Sequence, residues 1–407
     1  MTVPRLLGSF APGTAPAASN PLLVLLASLG TTTALWDGVV GALRADPRTA
    51  GLRILRVDLP GHGASPASAE PFTIADLAEA VLAVVDEAGG GGFHVAGVSL
   101  GGAVALELAV AHPDRVLGLV MSCSGARIGT RESWSARAAD VRASGTASLV
   151  TGSASRWFAP GFLGRDAGGP GAAALTALVD VDDESYACCA EALGDFDRTR
   201  DLAALDVPTL ALSGEHDAVT TPASMQDLAD DIRGARHIAL DGASHLAVLE
   251  EPQATAELIA EHLVAIERAV EASVAHDRGM RVRRAVLGDA HVDRAVAATT
   301  PETAAFQDFI TRYAWGEVWD RPWLTRRDRS IATLASLTTG GHEQEIAMHV
   351  RAALTNGLTR DEISEVLLHT ALYAGLPAAN SALAIARTVF AEADAAAADP
   401  STSSPND

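Results

Sequence analysis

Residues 93–102 combine a reactive side chain with the local pattern that would expose it. Apolar residues lead into Gly-x-Ser-x-Gly around Ser99, and an alanine- and leucine-rich run follows. A serine between two such glycines can stand on a tight turn between a strand and a helix, with its hydroxyl clear of the backbone. The motif alone is weak, because glycine and serine are common in turns, but its flanks favour a nucleophile over a plain glycine-rich turn.

The two groups that a serine nucleophile requires follow later apolar runs. Asp217 comes just after the run 208–213, and His245 comes just after the run 236–240. Serine is a poor nucleophile at its own pKa, so a histidine must accept its proton and a carboxylate must orient that histidine. The order serine, aspartate, histidine matches a nucleophile on a strand–turn–helix. The alternatives are a turn carboxylate and a loop histidine.

Stabilisation of a tetrahedral oxyanion requires backbone N–H donors near the nucleophile. We expect the first donor at Leu100, directly after Ser99, and the second at Leu29, in the loop after the first apolar run. Both would act through the main chain, so their side-chain types carry little information.

Runs typical of strands and helices alternate through the first 122 residues and return after residue 207. This alternation predicts an α/β fold with a parallel sheet covered by helices on both faces. Strands are predicted over 21–27, 52–57, 93–98, 116–122, 208–213 and 236–240. Between about 125 and 200 helical stretches mix with aromatic residues, which predicts a lid over the carboxyl edge of the sheet.

The remainder of the chain shows only helical patterns and predicts a second, all-α domain. A long helix over 252–270 should close the first domain, with a join near residue 275 in a short polar stretch. We therefore expect an α/β domain over 1–270, a helical domain over 280–395 and a disordered tail over 396–407.

Polar residues with chemical potential fall on two predicted helices of this second domain. His342, Glu345 and His349 are spaced i, i+3 and i+7, which would place them on one helical face, and His369 and Tyr373 form an i, i+4 pair. The alternatives are an exposed polar face for the first set and a satisfied core histidine for His369. A metal site is disfavoured, because the spacing is not His-Glu-x-x-His, and we expect neither metal nor cofactor.

Composition excludes several classes of function. The formal net charge is −21, whereas binding to nucleic acid needs a basic face. No apolar run approaches the ~20 residues of a membrane span. Cys123, Cys188 and Cys189 do not suggest a disulfide framework, so we expect a cytoplasmic protein. The sequence contains no lysine, so its 30 strongly basic residues are all arginines.

The first domain resembles the α/β-hydrolase superfamily. The resemblance is carried by Ser-Leu-Gly at 28–30, Asp-Leu-Pro-Gly-His-Gly at 58–63 and Gly-Val-Ser-Leu-Gly-Gly at 97–102. The lid segments Arg-Trp-Phe at 156–158 and Tyr-Ala-Cys-Cys at 186–189 are similar to those of 3-oxoadipate enol-lactone hydrolases.

The resemblance implies that Ser99, Asp217 and His245 form the catalytic triad of a lactone hydrolase. It also implies a lid that positions a free substrate carboxylate, for which the candidates are Trp134, Arg137 and Arg156. One departure is Ala27, where such enzymes more often carry a polar residue.

The second domain is similar to the 4-carboxymuconolactone decarboxylases, within the thiol peroxidase-like helical superfamily. The similarity rests on Arg-Gly-Met-Arg-Val-Arg at 278–283, Trp-Gly at 315–316, and the segments 345–354 and 368–377. The peroxidase relatives carry Cys-x-x-Cys-x-x-x-His, whereas this chain has His342 and Glu345 at the cysteine positions. Because the domain contains no cysteine, thiol redox chemistry is excluded there.

Together the two resemblances imply a bifunctional enzyme of protocatechuate catabolism that acts on small anionic lactones. The helical domain would lose CO2 from the lactone with His349 as general acid, supported by Glu345, His342 and His369. Further residues implied in substrate binding are Tyr373, Arg327 and Arg329; an ordinary solvated helix face is the alternative for the two arginines.

Other interpretations stay open at this point. The helical domain can be a silent module for homo-oligomerisation attached to a lactone hydrolase, since helical hairpins of this kind bury little surface alone. The first domain can also be an esterase for another acyl substrate.

Overall fold

The computed structural model describes residues 3–11, 19–165 and 167–398. The chain divides into two compact units, Met1–Glu267 and Arg268–Asp407. None of the helices in these described ranges is long and apolar enough to cross a bilayer.

One sheet organises the described part of the first unit, with the strand order β1-β3-β2-β4-β5-β6-β7. The strands are β1 (Gly8–Phe10), β2 (Leu22–Leu26), β3 (Arg53–Val57), β4 (Phe93–Val98), β5 (Val116–Ser122), β6 (Thr209–Gly214) and β7 (Arg236–Leu240). Strands β2 to β7 pair in parallel, and β1 pairs antiparallel with β3. The predicted α/β architecture is confirmed. The sequence did not predict β1, because three residues are too few for a recognisable alternation.

The central strands read as continuous apolar runs because both faces of the sheet are covered. Every residue of β2 and β4 is buried. The covering helices before the lid are α1 (Asp37–Ala45), α2 (Ile74–Glu87) and α3 (Leu100–Ala111). Helix α3 packs on β4 and β5, and ten of its twelve residues are buried; the buried Glu107 among them pairs with Arg198.

The insertion between β5 and β6 is helical. It contains α4 (Arg131–Ser144), α5 (Val150–Trp157), α6 (Phe162–Arg165), α7 (Pro170–Val179) and α8 (Asp183–Gly194). Helices α4 and α8 pack together, and Arg142 joins them through ion pairs with Glu184 and Glu191. The chain then returns to the sheet at β6; α9 (Pro222–Asp231) connects β6 to β7, and α10 (Ala247–Glu250) follows β7.

The sequence predicted a polar connection between the two domains near residue 275, but the chain is helical there. Helix α11 runs without a break from Pro252 to Leu287, and the boundary between the two units falls within it at Glu267. Residues 271–279 are polar, but most of them are adequate helix formers, so polarity alone does not end the helix.

The second unit is helical in its described residues. After α11 it contains α12 (Asp289–Ala297), α13 (Pro301–Phe309), a π-helical segment (Ile310–Val318), α14 (Arg326–Gly340), α15 (Glu343–Thr355), α16 (Arg360–Ala374) and α17 (Leu376–Ala398). Capping boxes at Thr325 and Thr359 begin α14 and α16. Buried aliphatic residues of α14 to α17, such as Leu334, Val350 and Leu367, form the main core.

The predicted disordered tail begins too early. Residues 396–398 are alanines and continue α17, because alanine has the highest helix propensity. Residues 399–407 lie outside the described residues.

Candidate active site

The turn between β4 and α3 holds Ser99 in a strained backbone conformation, with φ 54° and ψ −115°. A positive φ at a residue other than glycine costs on the order of 1–3 kcal/mol and persists only where the surroundings enforce it. Here the backbone itself enforces it. A Cβ on Gly97 would overlap the carbonyl of Gly101, and a Cβ on Gly101 would lie 2.5 Å from the carbonyl oxygen of Ala27. The turn therefore requires glycine at both positions.

Asp217 and His245, from the loops after β6 and β7, contact each other, and His245 lines the same cavity as Ser99. His245 Nδ1 lies 2.9 Å from Asp217 Oδ2, and both residues are buried. Asp217 also accepts hydrogen bonds from the Thr220 hydroxyl (2.7 Å) and the Val219 N–H (2.7 Å). Burial acts to raise the pKa of Asp217, but the hydrogen bonds and the neighbouring imidazole outweigh it and leave the pKa below its usual value. The carboxylate stays ionised and can orient the ring.

Glu250 fixes the loop that carries His245. Its carboxylate accepts the backbone N–H of Ser244 at 2.6 Å and of Ala159, in the lid, at 2.8 Å. The Leu246 N–H donates in addition to the Trp157 carbonyl at 2.9 Å. Burial raises the pKa of Glu250. Sequence reasoning did not find Glu250, because nothing in the local pattern marks a carboxylate that binds backbone from two loops.

The loop expected to supply the second oxyanion donor is held by His62. The Gly30 N–H donates to His62 Nε2 at 3.0 Å, while His62 Nδ1 lies 2.7 Å from the Pro60 carbonyl oxygen. Burial lowers the pKa of His62 to about 4, so the ring is neutral and Nε2 is free to accept. The adjacent Leu29 is positioned by this contact. Leu100 is the first residue of α3, where N–H groups have no acceptor within the helix.

A cavity of about 230 Å³ connects these groups with the lid. The residues from the sheet edge that line it are Ser28, Leu29, Ser99, Val219 and His245. The residues from the lid are Ile128, Gly129, Ser133, Trp134, Arg137, Ser153, Arg156, Trp157 and Tyr186. The residues predicted from the sequence for the hydrolytic site thus line one cavity. The exceptions are Asp217 and Leu100, which are buried.

Two guanidinium groups give the lid side of this cavity a positive charge. Arg137 lies over the Trp134 ring at 5.8 Å from its centroid. Burial and the charge of Arg137 both lower the pKa of Arg156. Burial also raises the pKa of Tyr186, against the opposing influence of the two arginines. Within the described ranges, neither arginine forms an ion pair with a carboxylate. The arrangement is suited to an anionic group of a ligand.

Cys123 lies next to the Asp217–His245 pair. Its sulfur and one ligand atom from each of these residues lie within 4.8 Å of one another. Burial, together with the Asp217 charge, raises the pKa of the Cys123 thiol. The thiol is therefore protonated, and it is not a second nucleophile of the site.

In the helical unit, the structure keeps Glu345 and His349 close together and adds a neighbour. Burial lowers the pKa of the half-buried His349, Glu345 opposes this effect, and His291 of α12 reinforces it. No sequence pattern marks His291, which is a single histidine on the short helix α12.

The other predicted polar residues of this unit lie apart. His342 is the exposed N-cap of α15 with ψ 60°, so it is not on a helical face with Glu345 and His349. His369 and Tyr373 contact each other with ring centroids 5.5 Å apart, and both are exposed. They line a separate open cavity of about 530 Å³ between α14 and α16. The core alternative for His369 is therefore wrong.

The two arginines proposed as carboxylate clamps are already engaged. Arg327 forms an ion pair with Glu362, and Arg329 donates to the Arg321 carbonyl at 2.8 Å. For Arg327 the arrangement fits the solvated-face alternative better than a clamp.

Comparisons with known proteins separate the chain in the same way. A model of the alpha/beta hydrolase family matches residues 23–258, and a model of the carboxymuconolactone decarboxylase family matches residues 304–388. The chain is 49% identical over 115 residues to the 4-carboxymuconolactone decarboxylase of Acinetobacter baylyi, which covers 28% of this chain and 86% of the relative.

The first unit is similar to lactone hydrolases. The chain is 32% identical over 237 residues to 3-oxoadipate enol-lactonase 2 of Acinetobacter baylyi, which covers 58% of this chain and 86% of the relative. The crystal structure of the enol-lactonase from Burkholderia xenovorans matches with a TM-score of 0.60 and 32% identity, and covers 64% of this chain and 96% of that one. Both predicted resemblances are confirmed.

The glycine contacts below Ser99 lead to a test of the turn. We expect Gly97→Ala to lower the free energy of unfolding by about 3 kcal/mol or more, because the added methyl group meets backbone that cannot move aside. Gly41→Ala, in α1 with no atom near its Cβ, should be neutral or stabilising by up to about 1 kcal/mol. Urea unfolding followed by loss of ester hydrolysis measures both. Equal stability of the two variants would contradict the proposed constraint.

Proposed function

The chain belongs to the alpha/beta hydrolase family, and we propose that it joins this activity to a decarboxylation that supplies its substrate. The helical unit would convert 4-carboxymuconolactone to 3-oxoadipate enol-lactone, and the first unit would hydrolyse that lactone to 3-oxoadipate. The observation that carries the proposal is the fusion itself, since the product of one relative's reaction is the substrate of the other's. Three free cysteines are consistent with a cytoplasmic location.

Hydrolysis would begin at Ser99. His245 accepts the hydroxyl proton as the oxygen attacks the lactone carbonyl, and Asp217 stabilises the resulting imidazolium. The carbonyl oxygen takes the negative charge and receives hydrogen bonds from the N–H groups of Leu29 and Leu100. Strain at Ser99 keeps the hydroxyl at the cavity surface, so little reorganisation is needed.

Collapse of the tetrahedral intermediate breaks the ring C–O bond, and His245 gives its proton to the departing oxygen, which leaves as an enol. The enol tautomerises to a ketone by loss of its O–H proton and gain of a proton at carbon, which makes ring opening hard to reverse. His245 then removes a proton from water, the hydroxide attacks the acyl-Ser99 ester, and 3-oxoadipate leaves.

The lid arginines would hold the carboxylate that the enol-lactone carries outside its ring. Arg137 and Arg156 face the same cavity as Ser99 and lack carboxylate partners in the described residues. A charge-assisted hydrogen bond in a partly buried site contributes about 1.5–3 kcal/mol, enough to orient a small lactone.

Decarboxylation needs no external electron acceptor. The bond to the departing carboxylate breaks, and its electron pair moves through the ring double bond onto the lactone carbonyl oxygen. The resulting extended enolate takes a proton at the ring carbon next to the carbonyl. His349 is the proposed donor, with Glu345 supporting its protonated form.

Removal of the nucleophile should separate the two steps. With 4-carboxymuconolactone as substrate, Ser99→Ala should release CO2 at the normal rate and accumulate the enol-lactone, with hydrolysis reduced at least about 10⁴-fold. Ser155→Ala, on an exposed turn of lid helix α5, should leave both steps unchanged. Product analysis by chromatography measures both. Continued formation of 3-oxoadipate would contradict the nucleophile, and an absence of CO2 from the wild type would leave the helical unit as a silent module.

The lid arginines predict a selective defect in binding. Arg137→Gln should raise KM for the enol-lactone by about 10–100-fold but leave hydrolysis of an uncharged phenyl ester nearly unchanged. Arg131→Gln, on the same helix but in an exposed ion pair with Asp195, is the matched control. An equal loss on both substrates would indicate a structural role for Arg137.

We propose further that the protein self-associates through the end of α16 and the start of α17. Leu368, Leu372, Tyr373 and Leu376 are 57–79% exposed, although they are large and apolar. The segment 366–380 contains no charged residue in a chain with a net charge of −21. A second copy is the favoured partner, because two acidic chains can approach without repulsion at this face.

Disruption of this face should change the oligomeric state. Leu372→Glu should lower the mass measured by analytical ultracentrifugation, because it places a charge in the proposed contact. Glu365→Gln, an exposed residue on the same helix, should leave the mass unchanged. A wild-type monomer at micromolar concentration would contradict self-association.

A further inference from the structure

We propose that Arg283 is a catalytic residue of the decarboxylation and binds the lactone carbonyl oxygen. The proposal rests on the function proposed for the helical unit. The sequence did not predict a role for Arg283, which does not line the open cavity beside His369 and Tyr373.

Arg283 is a buried cation without a counter-ion. Its side chain lies near the end of α11 and is only 6% exposed. Nη1 lies 3.3 Å from the Thr311 hydroxyl, and Nε has no hydrogen-bond partner. In the part of the chain that the structure describes, no carboxylate pairs with it, and burial lowers the pKa of its guanidinium.

Among the arginines of this unit in the described residues, Arg283 alone is buried. Arg327, Arg351 and Arg360 each form an ion pair with a carboxylate, and all three are more exposed. Burial of an unpaired charge carries an effective penalty of several kcal/mol. A cation held at this cost is most simply explained by an anionic charge that arrives with the substrate.

The backbone around Arg283 is held by a close contact between two helical segments. A Cβ on Gly279, one turn before Arg283, would overlap the Thr311 carbonyl, and a Cβ on Gly316 would lie 2.7 Å from the Ala275 carbonyl oxygen. Both Thr311 and Gly316 belong to the π-helical segment, a rare structure that is frequent at functional sites. The contact sets the Thr311 hydroxyl beside the guanidinium.

The same region brings Arg283 to the predicted acid. Val282 and Val286 of α11, Trp315 of the π-helical segment and Ala352 of α15 form one small core. Ala352 is one turn from His349 on α15. The packing therefore places the ends of α11 and α15 next to each other.

Electrostatic effects link ionisable groups of this region. Burial lowers the pKa of His291, and the charges of Arg294, Arg283 and Arg351 lower it further, against the influence of Glu345. His291 in turn lowers the pKa of His349. These charge effects agree with the shared core in placing Arg283 and His349 in the same part of the unit.

The chemistry decides which part of the substrate Arg283 should contact. The departing carboxylate loses its charge as neutral CO2 forms, so a cation placed there stabilises the ground state and slows the reaction. The lactone carbonyl oxygen gains that charge. A preorganised buried cation interacts with the carbonyl oxygen more strongly in the transition state than in the ground state, and this difference raises kcat.

Substitution by an apolar residue distinguishes this role from a structural one. Arg283→Met should lower kcat for CO2 release about 100-fold with little change in KM, and it should raise the Tm of the helical unit, because it removes an uncompensated buried charge. Arg281→Met, exposed on the same helix, should change neither quantity. A lower Tm, or a rise in KM with unchanged kcat, would overturn the assignment.

The stability readout separates this inference from the proposed function. If the wild type releases no CO2 from 4-carboxymuconolactone, the proposed reaction fails. A higher Tm in Arg283→Met would then still support a buried functional charge with a different substrate, whereas a lower Tm would overturn it for any substrate.

Discussion

Close backbone contacts at glycine residues determine the positions of key residues in both proposed catalytic centres. Below Ser99, the chain passes so closely between Gly97, Gly101 and the Ala27 carbonyl that no side chain fits, and this contact enforces the strained φ of the serine. In the helical unit, Gly279 and Gly316 allow α11 and the π-helical segment to touch, which sets Thr311 beside Arg283. In each case two glycines, which have no side chain, allow two backbone segments to touch, and this contact holds a reactive or charged group in one position.

The distribution of charge on the chain bears on how it could bind the proposed anionic substrates. The chain is strongly acidic, yet the proposed substrates are anions, so the overall field opposes their approach. Many arginines pair with carboxylates, as Arg142 and Arg198 do. Arg137, Arg156 and Arg283 face a site or the interior without such partners in the described residues. Local unpaired cations of this kind can select an anion that the surface as a whole would repel.

The two proposed reactions place negative charge on the same kind of atom, a lactone carbonyl oxygen. In hydrolysis the charge appears when Ser99 attacks, and backbone N–H groups at Leu29 and Leu100 are suited to receive it. In decarboxylation it appears when CO2 departs, and the side chain of Arg283 is suited to receive it. The first oxyanion is short-lived on a tetrahedral carbon, whereas the second belongs to a delocalised enolate that must also be protonated by His349.

The sequence by itself determined the fold class, the order of the triad residues and the two family resemblances. These features depend on local patterns: apolar runs of strand length, a glycine–serine turn, and residue types at fixed offsets after each strand. Such patterns can be recognised in the sequence alone. Because parallel strands bring their carboxyl ends to one edge of the sheet, residues that follow different strands can be expected to meet there.

Tertiary structure decided the contacts that connect residues distant in the chain. Glu250 holds the His245 loop to the lid, His62 holds the Gly30 amide, and Thr311 of the π-helical segment meets the buried guanidinium of Arg283. Tertiary structure also explains why two predicted site residues do not have the expected arrangement: His342 caps its helix, and Arg327 forms an ion pair with Glu362. A side chain's burial and its partner depend on which helices pack together, and no spacing within a single helix contains that information.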